Sequence, residues 1–223
     1  MQIHGYILLG VIILEALLGR YVYYRDRKNP VNIAFSLLVL CILIWVAINA
    51  KLALTIVADD IAWYRSAYFT GLLIGASQLY FVWVFPYRTF VISRKKAAIL
   101  LLPVVVFIHF IFFTRFIISG IQNVGVTARG EFGNGFYVYL IIFACYFIVG
   151  FYSLLKKYIH SDGIHRWQLK YIFISILIPF LINILLDMVL PALHVTRMPW
   201  MEYFGAESSV IWLGFTSYVL FKK

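Results

Sequence analysis

The sequence predicts an all-α fold: a seven-transmembrane helix bundle with its N-terminus outside and its C-terminus cytoplasmic. Three observations carry that prediction. Of the 223 residues, 64% are hydrophobic and only 13% are charged, with mean hydropathy +0.93. A soluble domain is instead about 45–50% apolar and about 25% charged. Seven apolar runs reach the length that a membrane-crossing helix needs, roughly 20 residues. Basic residues then alternate from loop to loop, fourteen of the nineteen on one side and five on the other. Lys and Arg concentrate on the cytoplasmic side, which sets the orientation. The net charge of +10 is therefore mostly topology. The lipid bilayer is the expected partner, with anionic headgroups against the basic loops, and no nucleic acid is.

In chain order, the spans fall near residues 3–23, 31–56, 65–86, 97–118, 136–155, 168–191 and 205–221, in a single sensor-like domain over 1–223. The first has no basic leader or small-residue cleavage site, and Glu15 interrupts it, so it reads as a retained helix and not a signal peptide. RDRKNP ends it, VADD separates the second from the third, and Arg94, Lys95 and Lys96 precede the fourth. The stretch SGIQNVGVTARGEFGNG follows the fourth; its glycines between short β-prone runs predict an outer β-hairpin, with a flexible lid as the alternative. KKYIHSDGIHR precedes the sixth span and HVTRMPWMEY the seventh. Cys41 and Cys145 lie in apolar runs and read as small buried hydrophobes, with no metal spacing.

The sixth span carries Pro179, Asn183 and Asp187 at i, i+4 and i+8, one face of a helix. Proline removes a backbone donor, which makes Pro179 the expected conformational hinge. An ionisable group inside a span faces protein or water and marks a functional site by default; hydrogen bonding to neighbouring helices is the competing reading. Polar residues also gather in the outer halves of other spans: Asn49 and Lys51, Arg65 and Tyr68, His109 and Arg115, then Glu207, Ser208 and Ser209. The inner halves carry mainly Glu15 and Gln78. This asymmetry predicts an outward-opening polar cavity for a small molecule, an ion or a lipid headgroup, with Asn49, Lys51, Arg65, Tyr68, Arg115, Asn183, Asp187 and Glu207 as the candidate ligand-binding residues. Pairing of Asp187 or Glu207 with Lys51, Arg65 or Arg115 is the specific expectation, against simple snorkelling of the three basic residues.

Other polar residues read as packing. Glu15 is expected to hydrogen-bond another helix. Gln78 shares a face with Gly71 and Gly75, a small-xxx-small spacing that permits close helix contact. His109, in an aromatic run, reads as a buried, satisfied histidine. No catalytic role, cofactor or metal is expected. HExxH and GxSxG are missing, His4, His160, His165 and His194 lie near or outside span ends, and the seventh span has no central lysine for a Schiff base.

NPVNIAFSLLVLCILIWVAINA and DDIAWYRSAYFTGLLIGASQLYFVWVF, followed later by GFYVYLIIFACYFIVGFYSLLKKY and HRWQLKYIFISILIPFLINILL, resemble the seven-helix N-terminal sensor region of bacterial and archaeal histidine kinases. The resemblance spans nearly the whole chain and rests on spaced Trp, Asn, Arg, Gln and Pro: Asn32, Trp45, Trp63, Arg65, Phe69, Gln168, Pro179 and Asn183. It implies a multi-pass sensor in the plasma membrane of a prokaryote, binding an unknown outer-side ligand. The signal would pass through the last helix to a cytoplasmic kinase, cyclase or phosphatase domain. No phosphoacceptor helix or ATP-binding domain follows Lys223, so no enzyme activity is expected of this polypeptide. It would signal through a separate kinase or cyclase partner, stand alone as a binding protein, or derive from a truncated coding sequence. The alternatives are a small transporter or channel using Asp187 and Glu207, and a membrane enzyme built on Asp187, Glu207 and His109.

Overall fold

The computed structural model describes residues 2–54, 61–87, 93–124, 127–189 and 201–221, except for the side chains at 122–129, 187–189, 201 and 202. Seven α-helices are present among them: α1 (Gln2–Arg25), α2 (Pro30–Leu54), α3 (Ile61–Val84), α4 (Arg94–Phe112), α5 (Phe136–Ile159), α6 (Gly163–Asn183) and α7 (Met201–Phe221). A π-helical turn, Ile184–Val189, extends α6. Strands β1 (Ile118–Val124) and β2 (Thr127–Phe132) form an antiparallel hairpin between α4 and α5. Among the described residues, six helices, α1 to α5 and α6 extended to Leu186, are long and apolar enough to cross a membrane.

Neighbours follow a closed circuit: α1 on α2, α2 on α3, α3 on α5, α5 on α6, α6 on α7, and α7 back onto α1 and α2. Helix α4 packs against α3 on the periphery. The core, which includes Phe35, Leu38, Leu72, Leu79, Phe81, Tyr139, Leu169 and Leu213, runs through the centre of this circuit. Large apolar side chains such as Ile13, Leu17, Leu102, Val105, Ile141, Ile148 and Ile211 cover its outside. That is the surface of a protein whose solvent is lipid, where burial alone does not hold helices together. Close fits and interhelical hydrogen bonds do so instead.

Both kinds of contact are specific here. On α3, a methyl group at Gly71 would meet the Tyr139 hydroxyl at 2.7 Å, and one at Gly75 would meet the Tyr146 ring at 3.1 Å. The small-residue face expected on the third span is therefore a pair of notches for tyrosines of α5. Tyr139 donates to the Tyr68 carbonyl at 2.9 Å and Tyr146 to the Leu100 carbonyl at 2.7 Å. Side-chain amides bind the backbones of adjacent helices: Asn32 of α2 donates to Val22 of α1 (3.1 Å), and Gln168 of α6 to Val219 of α7 (3.2 Å). Ser175 and Thr216 add a hydroxyl pair at 3.0 Å between α6 and α7.

Helix α4 ends at Phe112, six residues short of the span expected from hydropathy. Thr114 explains the stop. Its hydroxyl donates to the Phe110 carbonyl (2.7 Å) and accepts from the Phe116 amide (3.1 Å), a local closure that competes with helix continuation. The chain then turns into β1, and Gly133 and Gly135 donate back to the Ile117 and Phe116 carbonyls. A Cβ at Gly133 would collide with the Arg115 and Phe116 carbonyl oxygens, so only glycine permits that approach. Of the two readings of the glycine-rich stretch, the hairpin is the one observed. Cys41 is buried as expected, whereas Cys145 is exposed on the lipid-facing side of α5, because its position lies off the stripe of Phe143, Tyr146 and Phe147 that faces the core.

Candidate functional site

The residues expected near one end of the bundle fall into two groups. The first joins α3, α4, the hairpin and α5. Arg65 extends its guanidinium to three backbone carbonyls, with Nη1 donating to Phe112 (2.6 Å) and Nη2 to Thr114 (2.7 Å) and Ile118 (3.3 Å). The last carbonyls of a helix have no intrahelical partner, and at membrane depth each costs several kcal/mol if left bare. Arg65 supplies those donors where α4 stops and the hairpin begins. The basic partner expected for a carboxylate instead serves the backbone, and it does not snorkel. Its Nε is buried without a partner. Tyr68 packs edge-on against Phe132, Phe136 and Tyr139, with centroids 5.6–6.1 Å away. Arg115 follows α4 and is exposed.

The second group joins α1, α2, α6 and α7. Glu207 of α7 lies 2.6 Å from Nδ1 of His4, both about a fifth exposed, and His4 stacks on Tyr203. The carboxylate's partner is thus a histidine of the first helix and not Lys51, Arg65 or Arg115. Asn49 donates to the Trp45 carbonyl of its own helix at 2.8 Å. Lys51, three residues before the end of α2, is exposed. The contacts Gln168–Val219 and Ser175–Thr216 set α6 antiparallel to α7. Counted two turns on from Ser175–Thr216, Asn183 comes level with the turn of α7 that carries Glu207. Asn183 Oδ1 is buried and has no hydrogen-bond partner.

The helical spacing that puts Pro179, Asn183 and Asp187 on one face holds through Asn183. Beyond it the backbone changes to π-helical closure over Ile184–Val189, and the α-helical register that would place Asp187 on that face ends. The Asp187 side chain lies outside the described residues. Pro179 is inside α6, one turn before the change. A π-helical turn of this kind is found frequently at functional sites.

Deeper in the bundle, Glu15 is fully buried on α1 with Oε1 2.5 Å from the Ser209 hydroxyl of α7. This is the interhelical contact expected of Glu15. It also brings Ser209, expected in the outer half, to a residue expected in the inner half, so both sit near the middle. His109 departs from expectation: it is exposed on α4 and stacks on Phe113 at 5.9 Å, because its position points away from α3. At the opposite end of the bundle, Lys157 of α5 donates to the carbonyls of Val82 and Trp83, each at 2.8 Å, and to that of Phe85. It closes the end of α3 as Arg65 closes α4. In the sequence Lys157 is only one of the basic residues of the side expected to be cytoplasmic, next to Lys156 in the last turn of α5, and nothing in that pattern marks it as the one that turns inward. No group of three or more metal-ligating side chains occurs among the described residues.

The family model for the N-terminal 7TM region of histidine kinase matches residues 7–222. The chain belongs to that family. No curated protein is similar to it in sequence. As a member of the histidine-kinase 7TM family, the protein is a multi-pass membrane sensor-like region. Several residues that carry the resemblance have physical roles in this structure: Asn32 and Gln168 tie helices through backbone carbonyls, and Arg65 terminates α4. The 7TM scaffold thereby explains part of its own sequence pattern.

Proposed function

We propose that this histidine-kinase 7TM region is a receptor in a prokaryotic plasma membrane, with its hairpin end outside and its basic end in the cytoplasm. An outer-side small molecule or lipid headgroup binds where α1, α2, α6 and α7 meet, with Asn183 and Glu207 at the centre and Asn49, Lys51 and Asp187 around them. Tyr68 and Arg115, with the hairpin, form the neighbouring wall, and Arg65 holds that wall in place. The observation that carries this reading is the buried, unpartnered Asn183 Oδ1 beside the π-helical turn. A buried polar group without a partner is costly, and a ligand donor would relieve that cost. The mean positive-inside bias of the loops supports the orientation.

Binding shifts the packing of α6 on α7 only by the difference in affinity for two arrangements. Pro179 and the π-helical turn provide the weak point, and the last turn of α7 passes the change to a cytoplasmic kinase or cyclase partner. Affinity capture from cross-linked native membranes tests the relay. A signalling kinase or cyclase should be recovered with the wild-type protein. Repeated recovery of no such component would sink the relay.

A further inference from the structure

Ser209 has one hydroxyl proton and two close oxygen neighbours. Its Oγ is 2.5 Å from Glu15 Oε1 and 2.6 Å from the Ala206 carbonyl oxygen. A hydroxyl donates once and accepts with its lone pairs. One proton shared between two acceptors weakens both contacts, as at Thr70, whose hydroxyl faces the Ser66 and Ala67 carbonyls at 2.9 Å each; a proton on Glu15 lets both of the shorter contacts at Ser209 form in full. A second observation agrees. Glu15 is 0% exposed and its other oxygen, Oε2, has no hydrogen-bond partner. An ionised carboxylate would leave a bare charged oxygen in the bundle, whereas a neutral acid leaves an ordinary unpaired carbonyl.

Among the described residues Glu15 forms no ion pair that would offset an anion. Between Asn32 and Lys51, α2 carries no charged residue, only the thiol of Cys41. On α7 the charged groups are Glu202 and Glu207 near its start, the latter engaged with His4; Tyr203 and Tyr218 are its other titratable groups. On α1 itself, Arg20 is exposed and five residues away, and His4 lies with Glu207. We propose that Glu15 is a proton-binding site in the bundle core: a neutral carboxylic acid whose Oε1 proton is donated to Ser209 Oγ, while Ser209 donates to Ala206. The proton itself joins α1 to α7. Its removal leaves Ser209 one proton to share between two acceptors, which weakens its hold on its own helix and on Glu15. This site is independent of the outer ligand, and its failure would leave the receptor reading standing.

Infrared spectra of the protein in lipid bilayers at pH 7 test the assignment. Wild type minus Glu15→Gln should contain the carbonyl band of a solvent-shielded carboxylic acid, and labelling with ¹³C-glutamate should move that band to lower wavenumber. Only four glutamates are present, which keeps the assignment tractable. Loss of a carboxylate band pair instead, or no acid band in the wild type, overturns the proposal. If Glu15→Gln does not fold, Ser209→Ala in labelled protein serves: removing the acceptor should raise the acid band's wavenumber, and an unchanged spectrum refutes the proposal.

Discussion

Two cations do structural work that their position in the sequence does not announce. Arg65 and Lys157 each face a helix C-terminus, where a positive charge also complements the helix dipole, and each satisfies three carbonyls. Hydrogen bonds to charged groups contribute about 1.5–3 kcal/mol each in soluble proteins, and bare carbonyls in lipid cost more. Arg65→Ala should therefore lower stability by about 2–4 kcal/mol, read from denaturant-titrated unfolding in mixed micelles. Arg65→Lys should recover only part of that, because an ammonium lacks the planar fork that spans two carbonyls. A wild-type unfolding curve for Arg65→Ala would show that these bonds are replaced by lipid or water. Lys157→Met should cost about 1–3 kcal/mol by the same assay, with basic-end proteolysis near Phe85 increased.

At the scale of elements, the helices and the hairpin were legible because hydropathy and glycine spacing report them directly. Their ends were not. Hydropathy carried the fourth span to residue 118, but Thr114 closes on its own backbone and Arg65 rewards the stop with donors from another helix. No local window contains that donor. In the same way, the single face drawn through Pro179, Asn183 and Asp187 assumed continuous α-geometry, which the π-helical turn ends. The hairpin depends on the close approach at Gly133. Gly133→Ala should overpack that junction at a cost of about 1–3 kcal/mol and expose residues 113–135 to added protease, leaving α1 and α2 protected. The Ser175–Thr216 contact should give a coupling of roughly 0.6 kcal/mol in a double-mutant cycle with alanine, the average for such bonds in membranes. Coupling near zero would mean that α6 and α7 are held at that level by packing alone.

For the whole molecule, the seven-helix architecture could be read from composition and basic-residue alternation, and the family from spaced polar residues in apolar context. The candidate site was only half legible. Sequence placed polar residues at one end but could not pair them, since His4 and Glu207 are 203 positions apart and no spacing rule joins the first and last helices. Arg65, Lys157, Glu15 and Glu207 each serve a backbone or interhelical contact, whereas the Asn183 side-chain oxygen, beside the π-helical turn, is left with no hydrogen-bond partner. The central claim is that this exception marks a ligand site, and native mass spectrometry of the protein released from lipid nanodiscs tests it most directly. Wild-type protein should carry a bound small molecule or lipid that Asn183→Leu and Glu207→Leu variants, folded by circular dichroism, have lost. Wild type and folded variants carrying the same species, or none, would contradict the account.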